Sequence, residues 1–169
     1  MTLPAGTRAS VVTASNRSFQ GRREDTSGHL LADRLRELGC TDVDVTVVPD
    51  EVPAIQAAIR SALDAGSAVV ITTGGTGVTP ADVTPEATRP LLERELPGIA
   101  EAIRQIPRDR VPTSILSRGL AGTIGTSLVV NLPGSPGGVK DGMAVLAPIL
   151  EHVLSQLRGG DHKPGGGPG

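Results

Sequence analysis

The stretch Ser67-Ala68-Val69-Val70-Ile71-Thr72-Thr73 runs directly into Gly74-Gly75-Thr76-Gly77. Its unbroken β-branched character suits a central parallel strand covered on both faces rather than a strand with one wet side. Two earlier strands are read at Arg8–Thr13 (RASVVT) and at Asp42–Val48, where Val43, Val45 and Val47 alternate. A later one lies at Ser127–Asn131 (SLVVN). Between the first two strands, Leu30, Leu31, Leu35 and Leu38 recur at helical spacing and stop at Gly39. Ile55, Ala58, Ile59, Ala62 and Leu63 do the same before Gly66. Further helices are predicted from Pro85 to Glu95, from a Pro97-Gly98 break through Ile106, and over Val139–Leu157 with an interruption at Pro148. Ala14–Thr26 and Val111–Gly125 read as irregular. Strand and helix in alternation predict an α/β fold: a doubly wound, mostly parallel sheet with helices on both faces. One domain is expected over residues 1–158, followed by a flexible Gly/Pro-rich tail at 159–169.

Composition narrows the chemistry. The 169 residues suffice for one core, and with one Phe, no Trp and no Tyr that core must be built from Val, Ile, Leu and Ala. The same scarcity argues against an aromatic platform for single-stranded nucleic acid. A net charge of −2 offers no general attraction to nucleic acid or to an acidic membrane. The single cysteine, Cys40, excludes an intramolecular disulfide and a multi-cysteine metal site, and reads as a buried, inert thiol. No run approaches the roughly 20 apolar residues of a membrane span. No signal-peptide pattern opens the chain, so the cytoplasm is the simplest location.

Sheets of this class bind ligands at the carboxyl ends of their strands. There Gly74, Gly75 and Gly77 permit close backbone approach, and successive amides form an anion-binding concavity to which Thr73 and Thr76 add hydroxyls. Thr84 is placed to cap the next helix, with Pro85 at its first position. Asp82 would repel a phosphate in that concavity unless a divalent cation lay between them. Asp50, at the end of the strand closed by Val48-Pro49, emerges at the same edge, and Glu51 beside it could take its place. A second loop, Asn131-Leu132-Pro133-Gly134-Ser135-Pro136-Gly137-Gly138, is stiffened by its prolines and offers the Ser135 hydroxyl. Leu116-Ser117-Arg118-Gly119 adds an arginine suited to clamp an anion, and Glu101 and Arg104 are spaced to pair on one helix.

Five segments in one order carry a resemblance: TTGGTG with DVTPEAT (Thr72–Thr88), VVPDE (Val47–Glu51), PGIAEAIR (Pro97–Arg104), LSRG (Leu116–Gly119) and NLPGSPGG (Asn131–Gly138). The sequence resembles the MogA/MoaB family of molybdenum-cofactor proteins, to which the G domains of gephyrin and of its plant counterpart are related. The resemblance implies a three-layer fold in a homotrimer that binds molybdopterin. It also implies transfer of AMP from Mg-ATP to the terminal phosphate of molybdopterin, with other proteins of the pathway as possible partners. By resemblance, Asp50 and Asp82 are the functional aspartates; as two carboxylates at one strand-end edge they are placed to share Mg²⁺ or to divide metal binding from substrate orientation. Thr73, Gly74, Gly75, Thr76, Ser117, Asn131, Pro133, Gly134 and Ser135 fall on positions expected to line the ligand pocket, beside Gly77 of the same glycine-rich turn. MoaB-type members imply the alternative of a molybdopterin carrier without turnover. One departure is visible: many members have Ser-Asp after the first strand, whereas this chain has Ser15-Asn16 and keeps Asp25, Ser27 and Gly28 in the family's style.

Overall fold

The computed structural model describes residues 2–160; of the expected tail, residues 161–169 lie outside the described residues. The chain builds a six-stranded sheet in the order β2-β1-β3-β6-β5-β4. Strands β1 (Arg8–Ala14), β2 (Asp42–Val48), β3 (Val69–Thr73) and β6 (Ser127–Leu132) are parallel neighbours. Strand β5 (Ala121–Ile124) runs antiparallel to both β6 and the two-residue β4 (Arg94–Glu95). The mostly parallel α/β architecture expected from the sequence is therefore present.

Alternation along the central strands decides which helix covers which face. Ala9, Val11, Val69, Ile71, Leu128 and Val130 point into one layer, packed by α2 (Thr26–Glu37), α5 (Pro97–Gln105), α6 (Pro136–Leu146) and α7 (Leu150–Leu157). Val12, Ala14, Val70 and Val129 point into the other, closed by α3 (Val52–Asp64) and α4 (Thr84–Thr88). Leu31, Leu35, Ile55, Ile59 and Ile71 are fully buried. Each such side chain contributes about 1.5–3 kcal/mol relative to an exposed one. Cys40 lies in the first layer, where burial pushes its thiol up to about 11, so it stays protonated and unreactive.

Four expectations need correction. The helix predicted from Pro85 to Glu95 ends at Thr88, because Pro90 brings no N–H to the ladder. A 3₁₀ turn at Arg89–Leu91 and then β4 replace it. Pro97 and Gly98 open α5 instead of preceding it, proline being preorganised for a first helical turn. Val111–Gly125 is not wholly irregular: it holds a 3₁₀ turn at Pro112–Leu116 and strand β5, which folds back on β6 through Gly125. Within the polar loop after β1, Asn16–Phe19 forms a single helical turn, α1, capped when the Ser15 hydroxyl accepts from the Ser18 N–H. Pro148 does separate α6 from α7. Among the described residues, no helix is long and apolar enough to cross a membrane.

From β1 the sheet proceeds to β2 on one side and β3 on the other. The carboxyl ends of β1 and β3 thus flank a switch in strand order, where a crevice opens between diverging connections.

Candidate functional site

The glycine-rich turn leaves β3 at that crevice. The Gly74 N–H donates to the Leu132 carbonyl at 3.0 Å, which carries the β3–β6 ladder one residue beyond the strands. Its backbone is left-handed (φ +96°), and a Cβ there would sit 2.4 Å from the Ala14 carbonyl oxygen. Gly75 is left-handed too, at φ +69°, and a Cβ would meet the Thr84 hydroxyl at 2.3 Å. Glycine is the residue that tolerates both demands. The Thr84 N–H donates to the Gly75 carbonyl (3.1 Å) and its hydroxyl to the Gly74 carbonyl (2.9 Å). Thr84 therefore fastens the turn and does not cap α4, which lacks a side-chain cap.

Two cavities meet at this turn. The first, of about 490 Å³, is lined by the ends of β1 and β3, the loop bearing Asn16, Arg17 and Arg23, and the carboxylates Asp50 and Asp82. The second, of about 520 Å³, has a more apolar wall that includes Ile103, Val111, Leu116 and Pro133. They share Gly74, Gly75, Asp82, Gly134 and Ser135. Neither is lined by an aromatic ring; Phe19 is 57% exposed.

Asp50 and Asp82 line the same cavity, and their like charges act on each other. Burial pushes the Asp50 carboxyl above its ordinary value, the N–H of Asn16 lowers it, and the charge of Asp82 raises it again. Asp50 and Asn16 grip each other reciprocally: the Asn16 N–H donates to Asp50 Oδ2 at 3.0 Å, and the Asp50 N–H donates to Asn16 Oδ1 at 2.8 Å. Asp50 does not cap α3, whose N-cap is Glu51. Asp82 closes its own turn, accepting from the Thr79 N–H (3.0 Å) and hydroxyl (2.9 Å). Asp25, also on the first cavity, accepts from the Gly28 N–H and the Thr13 hydroxyl, both at 2.9 Å.

The predicted pocket residues divide. Thr73, Gly74 and Gly75 line the first cavity, and Thr76, Gly77, Ser117 and Pro133 line the second. The Thr73 hydroxyl is already donating to the Pro133 carbonyl at 2.8 Å, and Ser27 likewise donates to the Gly134 carbonyl at 2.8 Å. These bonds tie the second glycine loop to β3 and to the start of α2. Ser135 lines both cavities while its hydroxyl accepts from the Gly138 N–H as the cap of α6. Asn131 reaches neither cavity. It is buried, donates to the hydroxyls of Thr72 (2.9 Å) and Thr88 (3.1 Å), and accepts from the Leu120 N–H (3.1 Å).

Arg118 is not free to clamp an anion. Its guanidinium donates at 2.8 Å to the carbonyls of both Gly77 and Asp82 and pairs with Glu86, whose carboxyl it holds below the ordinary value. The residue thus braces the turn that carries Asp82. Arg104 does not pair with Glu101; it donates to the carbonyls of Ser117 (3.4 Å) and Gly119 (3.1 Å). Neither bracing role was readable from i,i+3 spacing, since each joins segments at least 13 residues apart.

Among the described residues, no group of three or more His, Cys, Asp or Glu side chains is arranged to hold a metal ion. Asp50 and Asp82 remain a pair, with one oxygen of each engaged by N–H groups. One or two carboxylates together with phosphate oxygens is the donor set of a magnesium ion that arrives on a nucleotide, not of a resident ion.

Comparison with known proteins gives one consistent result. Residues 10–152 match the family described as "Probable molybdopterin binding domain". The molybdenum cofactor biosynthesis bifunctional protein of Synechococcus elongatus is 43% identical over 158 residues, covering 94% of this chain and 50% of that one. The chain spans about half the length of such bifunctional relatives. The molybdopterin adenylyltransferase of Pyrococcus furiosus is 36% identical, with 88% of this chain and 89% of that one covered. Among solved structures, the Mog protein of Mycobacterium ulcerans superposes with a TM-score of 0.86 at 42% identity over 92% of this chain and 99% of that one. The tungsten cofactor synthesizing protein MoaB of Pyrococcus furiosus does so with a TM-score of 0.85 at 35% identity over 92% and 99%. With the fold, the five segments and the family model in agreement, this chain belongs to the MogA/MoaB family of molybdenum-cofactor biosynthesis proteins.

Proposed function

We propose that the protein adenylylates molybdopterin, taking Mg-ATP in the first cavity and molybdopterin in the second. The observation that carries this reading is the meeting of a polar and an apolar cavity along one seam of glycine backbone, Ser135 and Asp82. The apolar chamber suits the tricyclic pterin, and the acid-bearing one suits a polyphosphate with its cation.

A terminal phosphate oxygen of molybdopterin attacks the α-phosphorus of ATP. The new P–O bond forms as the bond to the β-phosphate oxygen breaks, and pyrophosphate leaves with the electron pair. The nucleophile is already ionised, so the protein needs no strong base. Its task is to align two anions and offset their repulsion. Asp50 and Asp82 face the magnesium that the nucleotide carries. The amides of Gly75–Gly77 and the loop Pro133–Ser135 hold the molybdopterin phosphate, the Gly74 amide being committed to Leu132. A homotrimer in the cytoplasm is the setting this reading carries.

The test is incubation of purified protein with ATP, Mg²⁺ and molybdopterin. Pyrophosphate and adenylylated molybdopterin are the expected products. Tight molybdopterin binding without pyrophosphate would overturn the enzyme reading in favour of a MoaB-type carrier. One feature favours that second reading: the first loop supplies neutral Asn16, and among the described residues no three acids are grouped to hold a metal ion.

A further inference from the structure

The first cavity is lined by the acids Glu24, Asp25, Asp50 and Asp82, and a polyphosphate placed there needs donors beside them. Asn16 lines this cavity. Its carboxamide oxygen is fixed by the Asp50 N–H at 2.8 Å, while its own N–H holds Asp50 at 3.0 Å. A carboxamide is planar, so fixing the oxygen also fixes the NH₂ on the same carbon. That NH₂ has no hydrogen-bond partner in the protein among the described residues. Nor is it buried: the Arg8 Nε is the one buried side-chain nitrogen or oxygen without a partner among them. Two unpartnered, solvent-accessible donors are therefore held in place on a residue that lines the cavity. Arg17 and Arg23 line the same cavity and form no ion pair among the described residues.

We infer that Asn16 is a phosphate-binding residue of the first cavity, its NH₂ aimed by Asp50 at the polyphosphate of the nucleotide. The inference rests on the reading that this cavity takes the nucleotide. It assigns Asn16 two separable parts, an acceptor that grips the Asp50 backbone and a donor that meets the ligand.

Asn16→Asp separates them. The variant keeps an oxygen for the Asp50 N–H and replaces the NH₂ with a second, negatively charged oxygen. Binding of ATP and of inorganic tripolyphosphate to the full chain is measured by calorimetry in EDTA, so that no cation can bridge the new carboxylate to the ligand. Thermal unfolding is followed in parallel. Asn16→Asp is expected to weaken both ligands roughly tenfold or more with its unfolding midpoint unchanged. Asn16→Ala, which removes both parts, is expected to lose affinity and also to unfold at lower temperature. Wild-type affinity in Asn16→Asp overturns the inference and leaves the proposed function standing. So does a midpoint lowered in Asn16→Asp as far as in Asn16→Ala, which makes the residue a purely structural latch. A wild-type protein that binds neither ligand in EDTA overturns the inference, and one that also fails to bind ATP when Mg²⁺ is restored overturns the proposed function as well.

Discussion

The two cavities differ in how their walls are fixed. The first is built from the ends of parallel strands and cross-linked by side-chain bonds to backbone: Asn16 with Asp50, Ser27 with Gly134, Thr73 with Pro133. Its lining includes Arg17 and Arg23, which form no ion pair among the described residues. The second takes its outer wall from residues 107–117, a segment of turns in which Val111 and Leu116 stay about half exposed. That wall is held from behind, by Arg104 on the Ser117 and Gly119 carbonyls and by the Ser114 hydroxyl on the Arg104 carbonyl. A polar chamber beside a more apolar one suits two anions whose remaining surfaces differ, one polar and one apolar, meeting at a shared seam.

The seam is where the largest effect is expected. Asp82→Ala should lower adenylylation by roughly 10²–10³-fold while the unfolding midpoint stays near that of the wild type, as pyrophosphate release and calorimetry would show. Unchanged turnover would remove Asp82 from the chemistry. Gly74→Ala attacks the seam's backbone instead. Its Cβ would strike the Ala14 carbonyl in a left-handed conformation, so a loss of about 2–4 kcal/mol is expected in denaturant unfolding, affecting both cavities together. Full stability in that variant would show that the turn has slack.

A crossed pair sharpens the division. Leu116→Asp should weaken molybdopterin by about tenfold and leave ATP binding alone, whereas Arg23→Ala should weaken ATP severalfold and leave molybdopterin alone. If each variant weakened both ligands equally, the assignment of one ligand to each chamber would fail. The smallest effect belongs to Glu86→Gln. The Glu86 carboxyl lies below its ordinary value of 4.5 in the folded chain, held there by Arg118. Its stabilisation is complete above that value and is lost as pH falls through the lowered folded one. The variant should show a flatter decline of stability in that acid range, by well under about 1 kcal/mol for so exposed a pair.

Much of the scaffold was legible because its signal is local. β1, β2, β3 and β6 are short β-branched runs whose limits fall within two residues of expectation, and α2 and α3 repeat apolar residues at helical spacing and end two residues before the glycines expected to stop them, Gly39 and Gly66. β5 escaped because Ala121–Ile124 is too short for periodicity, although Gly125-Thr126 between two β-rich runs carries a hairpin signal. For the site, strand-end logic brought Asp50, Gly74, Gly75, Asp82, Gly134 and Ser135 to one place. What it missed are the bonds across the chain. The grip of Asn16 on Asp50 spans 34 positions and that of Arg118 on the Asp82 carbonyl spans 36. Asn131 shows the reverse error, since a conspicuous loop motif holds a residue consumed by buried hydroxyls.

The lack of aromatic rings around both chambers has a consequence for what the protein can tell apart. Elsewhere, stacking on a ring supplies about 1–3 kcal/mol per nucleobase. Here a flat heterocycle has peptide planes, proline and short aliphatic side chains to lie against. On the proposed reading, purine identity would be weakly sensed, affinity would concentrate in the charged end of the nucleotide, and ionic strength would be the strongest external control on occupancy.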